Sequence, residues 1–360
     1  MEEFSCKTRL ISGSGTVSVL GSLGAKRLFL VTDPYFMKNG TADRIAKTAG
    51  CQAVEIFDRV QPDPTVELAA EGTARVKTFQ PDLLVALGGG SAMDCAKAMA
   101  YFSRLPLTFA AIPTTSGSGS EVTDFAILTH NKVKHPLVDP RLRPDLAILD
   151  SDLLQELPKK LIAEAGFDIL AHGAEACVAR SSGTITDLYA REAFSSAYAA
   201  LPASYAGNRQ VRLKVHLAAT MAGMAFSQAG LGLCHAMAHS LGGMFHVPHG
   251  QLNAILLPSV IACNAHVAGK KYAELARSAG MGGSADSIAV RNLKNGLIRL
   301  RRELNLPETL AQAGVNPRAV WQETDAIVRA VLEDPCCKSN PLTVEAFLVR
   351  RILDEVTGRV

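Results

Sequence analysis

Asp168 and His172 stand four residues apart, a spacing that puts both side chains on one face of a helix, about one turn from each other. His235 and His239 repeat that step, and His246 and His249 follow just before Gly250. One such pair is usually an ordinary surface pair. Here, however, five of the nine histidines fall within or beside two short apolar, glycine-containing segments. A buried imidazole without a partner is costly, so this density points to a metal or a proton-transfer site. One carboxylate with three imidazoles suits Fe2+, Zn2+, Ni2+ or Co2+ better than Mg2+ or Ca2+. Spacing does not say which histidines of the second group bind. Such an ion polarises a carbonyl or lowers the pKa of a bound alcohol, which eases hydride transfer to or from a nicotinamide. No Ser/His/Asp nucleophile pattern is evident, and no cysteine sits in a setting that marks a nucleophile.

A second set of residues suits an anion. The apolar run Leu83–Leu87 enters Gly88, Gly89, Gly90 and Ser91, followed by a helix-forming stretch with Asp94 and Lys97. Glycines at a strand-to-helix turn let backbone N–H groups approach a pyrophosphate, and the helix N-terminus adds a positive end. The pattern is not the GxGxxG fingerprint, and a plain tight turn is the simpler reading of it in isolation. A polar turn, Pro113–Thr123, follows the next strand and so lies at the carboxyl edge of the sheet, where open α/β folds bind ligands. Asp33, just past the strand Arg27–Thr32, is placed to accept hydrogen bonds from an adenosine ribose. A carboxylate there repels a 2′-phosphate, which favours NAD over NADP. The alternative is a helix-capping Asp before Pro34.

Elements that could position these groups divide along the chain. The 360 residues exceed what one hydrophobic core usually supports, which predicts two domains, 1–155 and 156–360. In the first, strand-like segments Arg27–Thr32, Ala53–Phe57, Leu83–Leu87, Leu107–Ile112 and Leu146–Asp150 alternate with helical Thr65–Thr78 and Ala92–Tyr101. That alternation predicts an α/β domain with a Rossmann-like parallel sheet. After Asp150, β-branched clusters thin out and Ala, Leu and Met dominate stretches such as Ile185–Ala200 and Val211–Phe226, which predicts an all-α second half. The change falls near Ser151–Pro158.

Composition narrows the function classes. Hydrophobic residues make up 48% and charged residues 20%, the balance of a globular protein, and a net charge of +3 with dispersed Lys and Arg gives no support to a nucleic-acid partner. Eight cysteines, scattered but for the adjacent Cys336 and Cys337 and without a CxxC pair, predict reduced thiols and a cytoplasmic setting. The segment Met1–Ile11 carries Glu2, Glu3, Lys7 and Arg9, lacks the apolar core of a secretory signal and reads as a leader into a strand. The long apolar stretch Ala218–Leu233 contains Gln228 and several glycines and reads as a buried helix rather than a membrane span.

Taken in order, the segments GGGSAMDCAKA, PTTSGSGSEVT, FDILAHGAEA and AGMAFSQAGLGLCHAMAHSLGGMFHVPHGQLNAILLP resemble the iron-containing (group III) alcohol dehydrogenases over nearly the full chain. The resemblance implies a dinucleotide-binding α/β domain, an all-α catalytic domain, and a cofactor and metal in the cleft between them. It implies Asp168, His172, His235 and His249 as ligands of Fe2+, with Zn2+ as the alternative. His239 matches the family's non-ligand histidine near the nicotinamide and is implied as the catalytic proton relay. The implied NAD contacts are Asp33, Gly88, Gly89, Gly90, Ser91, Asp94, Thr114, Thr115, Ser118 and Lys134. Within the family, the opening CKTRLISGSGTV, the VQPDPT segment and the closing SNPLTVEAF look most like the propanol dehydrogenases of bacterial microcompartments. That likeness implies NADH-linked reduction of propionaldehyde or acetaldehyde. It also implies a homodimer without nucleic-acid or membrane partners, inside a microcompartment beside its shell or an aldehyde dehydrogenase. Phe167, where relatives usually carry a smaller residue, and Asp63, where many have Asn, depart from the pattern.

Three rival activities use similar parts. A lyase of the dehydroquinate synthase type needs several lysines and arginines around its substrate, yet segments 161–179 and 213–260 contain only Lys214. Glycerol dehydrogenases use a smaller ligand set, one Asp and two His. Lactaldehyde reduction differs only in the substrate. An inactive shell-associated subunit is disfavoured by the intact set of four presumed ligands.

Overall fold

The computed structural model describes residues 3–131 and 133–357, which form two compact units, one of Ser5–Leu157 and one from Pro158 onward together with Glu3 and Phe4. Of the predicted leader Met1–Ile11, Met1 and Glu2 lie outside the described residues.

The first unit runs β1 (Arg9–Gly13), β2 (Arg27–Val31), α1 (Pro34–Lys38), α2 (Thr41–Ala49), β3 (Ala53–Phe57), α3 (Val66–Phe79), β4 (Leu83–Gly88), α4 (Gly90–Ser103), β5 (Thr108–Pro113), β6 (Phe125–His130), β7 (Val133–Val138) and β8 (Leu146–Asp150). Six strands form a parallel sheet in the order β1-β8-β5-β4-β2-β3. Side chains alternate between its faces, as a pleated strand requires. Leu83, Val85 and Leu87 join Leu28, Leu30, Ala110 and Ile112 against α2, while Leu84 and Ala86 join Phe29, Phe57 and Phe109 against α3 and α4. Every residue of β4 and β8 is buried, which is why both read as apolar runs, closed by Gly88 and by Asp150.

Register sets the positions that matter for ligand binding. Gly88 pairs with Pro113 and Val31 with Ala86, so the glycine turn, the polar turn and Asp33 emerge from neighbouring strand ends at one edge of the sheet.

The hairpin of β6 and β7 carries no clear sequence alternation and was not anticipated. It is fastened to the turn before α3 and to the first turn of that helix: Thr129 N–H donates to Pro64 O at 2.8 Å, Lys134 pairs with Asp63 at 2.6 Å, and His130 meets Glu67 at 3.1 Å. Beneath it the fully buried Lys97 donates from Nζ to Thr123 O, Thr123 Oγ1 and Phe125 O at 2.8–3.0 Å.

The second unit is helical: α5 (Lys159–Val178), α6 (Thr184–Tyr205), α7 (Arg212–Ala229), α8 (Leu233–Phe245), α9 (His249–Ser278), α10 (Asp286–Glu303), α11 (Pro317–Gln322), α12 (Thr324–Glu333), α13 (Cys336–Ser339) and α14 (Ala346–Thr357). Helix α5 lies centrally, packed on α6, α7 and α9. Two glycines bring it close to α6: a Cβ on Gly166 would fall 2.4 Å from Leu201, and one on Gly173 2.9 Å from Ala190 O. The stretch Ala218–Leu233 is buried as expected, but it is not one helix. Helices α7 and α8 meet at a 103° bend, because Gly230 adopts a left-handed φ of 83° and Gly232 lies against Glu175, where a Cβ would be 2.8 Å from Oε1. Helix α9 has the length and composition of a membrane span, yet 72% of its apolar stretch is buried within the protein, the mark of a core helix.

Candidate metal centre and dinucleotide cradle

Helix α5 presents Asp168 and His172 one turn apart, α8 contributes His235, and His249 opens α9. Gly250 permits that opening. A Cβ there would lie 2.1 Å from Glu164 O, so only glycine lets the first turn of α9 sit on the α5 backbone and carry His249 up to Asp168. Three imidazole Nε2 atoms converge on one oxygen, Asp168 Oδ1: His249 at 3.5 Å, His235 at 3.6 Å and His172 at 3.7 Å. Asp168, His235 and His249 each offer an atom within 4.8 Å of the others, and His172 joins them through Asp168. Ligand atoms about 2.1 Å from a tetrahedral ion are roughly 3.4 Å apart, so these separations fit donors around a common centre. They are long for direct hydrogen bonds. Among the described residues the buried His235 Nε2 has no hydrogen-bond partner, an orphan that a metal would satisfy.

Surrounding side chains hold these donors in place. Glu175, three residues beyond His172 and only 2% exposed, accepts from His235 Nδ1 at 2.6 Å, which fixes the tautomer with Nε2 toward Asp168. The same carboxylate accepts the N–H groups of Gly232 and Cys234 at 3.0 and 2.6 Å, capping α8. Asn253, one turn after His249, donates to Asp168 Oδ1 at 2.8 Å, and the Phe226 ring stacks on His172 with centroids 4.3 Å apart. Burial alone would raise the Asp168 carboxyl, but His172, His235 and His249 together hold it well below the usual carboxylate range. Burial likewise works against charge on His235, but the nearby Asp168 and Glu175 carboxylates raise it to about 9. Sequence reasoning missed Glu175, Asn253 and Phe226. The available signal was helical spacing: Asp168, His172 and Glu175 share a face of α5, as His249 and Asn253 do on α9.

Two other histidines part company. His239 lies one turn along α8 with its ring stacked on His249 at 5.4 Å, whereas His246 is the exposed left-handed cap of that helix and lies outside the cluster. Phe167 is wholly buried.

In the α/β unit, the predicted cofactor residues largely gather. Gly88 has a φ of 152°, and its absent Cβ would strike Ala92 at 2.6 Å. Added Cβ atoms on Gly89 and Gly90 would meet Thr115 Oγ1 at 3.1 Å and Ser118 at 3.4 Å, so the glycine turn rests on the polar loop. Thr114 N–H donates to Gly88 O at 2.9 Å, and Ser91 stands in the first turn of α4, whose N-terminus has no side-chain cap. The result is a side-chain-free cradle at an uncapped helix start, which suits a pyrophosphate. Asp33 Oδ1 caps α1 from Tyr35 N and Phe36 N, the capping role considered for it, while Oδ2 faces Gly88, 3.8 Å from its absent Cβ. Asp94 is engaged inside the protein, accepting from Ser120 Oγ at 3.1 Å, and burial lifts its carboxyl to about 6 against the pull of Lys97. Lys134 stands apart on β7, paired with Asp63, so the extra charge at Asp63 is met within the chain.

Both units match family models: residues 7–151 the iron-containing alcohol dehydrogenases, and residues 162–357 the C-terminal part of the Fe-containing alcohol dehydrogenase family. The chain belongs to the iron-containing alcohol dehydrogenase family. Like its family, it is an oxidoreductase. It is 38% identical to 1-propanol dehydrogenase PduQ of Salmonella typhimurium, with 99% of this chain and 100% of that protein covered. It is 35% identical to the NADPH-dependent butanol dehydrogenase of Clostridium saccharobutylicum, covering 98% and 97%. The iron-containing alcohol dehydrogenase from Thermococcus thioreducens has the same fold, with a TM-score of 0.91 and 32% identity over 98% of this chain and 99% of that one.

Proposed function

We propose that this chain reduces short-chain aldehydes, propionaldehyde and acetaldehyde, to primary alcohols with NADH, reversibly and with a divalent metal. The observation that carries the reading is the convergence of three imidazole Nε2 atoms on Asp168 Oδ1, one of them buried and, among the described residues, without a hydrogen-bond partner. Asp168, His172, His235 and His249 would hold the ion, Fe2+ by family and Zn2+ as the alternative. Such an ion supplies Lewis acidity to the substrate oxygen. Glu175 keeps the lone pair of His235 directed inward, Asn253 fixes the Asp168 carboxylate, and His239 moves the proton at Nε2. For the cofactor, Gly88–Ser91 with Thr114, Thr115 and Ser118 would seat the pyrophosphate, Asp33 Oδ2 the adenosine ribose, and Lys134 the far side of the nucleotide, while Asp94 braces the loop through Ser120. The scarcity of cationic residues in segments 161–179 and 213–260 supports a small uncharged substrate. Likeness to 1-propanol dehydrogenase PduQ supports propionaldehyde. A homodimeric, cytoplasmic enzyme housed in a microcompartment beside an aldehyde dehydrogenase extends the reading on the sequence resemblance.

The test is anaerobic NADH oxidation by metal-stripped protein reloaded with Fe2+ or Zn2+, offered propionaldehyde, acetaldehyde, lactaldehyde and dihydroxyacetone. The two simple aldehydes should give the highest kcat/KM. Preference for dihydroxyacetone would instead indicate a polyol enzyme.

A further inference from the structure

A second group of side chains lies outside the four candidate ligands. His239, Asp334 and Cys336 offer atoms within 4.8 Å of one another. Direct hydrogen bonds account for the group without an ion. Asp334, at the C-terminal cap of α12, accepts from His239 Nδ1 at 2.9 Å through Oδ2 and from Cys336 N–H at 2.8 Å through Oδ1. Both carboxylate oxygens are therefore tied, one to the ring and one to the backbone entering α13, so the carboxylate has a fixed direction. Burial opposes its charge, yet the bonds from His239 and Cys336 keep the carboxyl below its ordinary range. An ionised carboxylate only accepts hydrogen bonds, so the proton between the two groups belongs to His239 Nδ1. That leaves Nε2 with the lone pair in the neutral ring. Among the described residues Nε2 makes no hydrogen bond, the side chain keeps 26% exposure, and the ring lies flat against His249 at 5.4 Å with 15° between planes.

We propose that Asp334 is a positioning residue that holds His239 in the Nδ1–H tautomer, so that Nε2 is the atom that takes up and gives back the proton of the reaction. The proposal rests on the aldehyde-reducing reading above. In that reaction the carbonyl carbon gains hydride from NADH, leaving NAD+, and the oxygen gains a proton. His239 loses that proton from Nε2, returns to the neutral Nδ1–H form and is recharged from water. Cys336 contributes its backbone N–H, and its thiol is held protonated, by burial first and then by the Asp334 charge.

Two measurements test this. In 15N-histidine-labelled, Zn2+-loaded protein, with His239 assigned by the spectrum of His239→Gln, the neutral ring should show a protonated Nδ1 and an unprotonated Nε2. Asp334→Asn, which keeps the shape but offers an N–H, should shift that ring toward Nε2–H. In steady state, Asp334→Asn should lower kcat about 10- to 100-fold with KM within about twofold and metal content unchanged, and Asp334→Glu should recover part of the loss. A wild-type Nε2–H ring, an unshifted ring in Asp334→Asn, or a loss of kcat that tracks loss of metal would overturn the proposal. If wild-type protein reduces no aldehyde, the functional reading fails, and the tautomer measurement still decides the role of Asp334.

Discussion

Replacing Glu175 by Gln strikes two structures with one atom. The carboxylate both accepts the hydrogen bond from His235 Nδ1–H and caps the start of α8. Loss of charge should weaken metal binding about 10- to 100-fold, the usual effect of removing a group that orients a ligand, and lower stability by about 1–3 kcal/mol. Metal titration with a competing chelator checks the first figure and denaturant unfolding the second; unchanged metal affinity would remove Glu175 from the account. Asp33 supports a separate prediction. Asp33→Gly removes the carboxylate facing Gly88 while costing α1 only a few tenths of a kcal/mol as a cap. The ratio of kcat/KM for NADPH to that for NADH should rise about tenfold, ~1.4 kcal/mol, and an unmoved ratio would acquit Asp33 of discriminating the cofactors. The separation between partners explains what the sequence concealed at this scale. Asp168 and His172 advertise themselves by an i,i+4 step, whereas Glu175 meets His235 from 60 residues away and Asp334 meets His239 from 95. Only folding brings such pairs together.

At the scale of elements, α4 is bolted to the β6–β7 hairpin by Lys97, whose ammonium is fully buried and spans to Thr123 and Phe125. Burial lowers this group to about 8, against the opposing pull of Asp94. Below pH 8 folded and unfolded chains both carry the charge; between about 8 and 10.5 the unfolded chain holds a proton that the native one has lost. Stability attributable to Lys97 therefore rises with pH across that window. Lys97→Met should cost about 3–5 kcal/mol at pH 8 by stranding Asp94 and two backbone carbonyls. Guanidinium unfolding of both proteins should then show the wild-type advantage growing from pH 8 to pH 10; a flat or shrinking difference would contradict the argument. The sequence disclosed β2–β5 and β8 to within a residue or two: β2, β4, β5 and β8 are buried, largely apolar runs closed by glycine or polar turns, and β3, the edge strand AVEIF, is short and β-branched. It did not disclose β6 and β7, whose FAILTH and VKHPLV mix apolar residues with His, Lys and Pro and whose stability comes from partners in the 63–67 turn. Nor did it disclose the break between α7 and α8, since composition does not reveal that Gly232 must make room for Glu175.

For the whole molecule, the proposed dinucleotide site lies in the α/β unit and the proposed metal site in the helical unit, so the two binding steps should be separable although turnover needs both. The double variant His235→Ala/His249→Ala removes two of the three imidazoles around Asp168 Oδ1 and changes no residue of Ser5–Leu157. Anaerobic NADH oxidation with propionaldehyde, read beside metal content and NADH fluorescence on the same Fe2+-loaded samples, tests the central claim most directly. The wild type should hold one metal per chain and turn over. The double variant should bind NADH as before, hold no metal and show only background oxidation. Undiminished turnover in the double variant would contradict the assignment of the metal to this cluster.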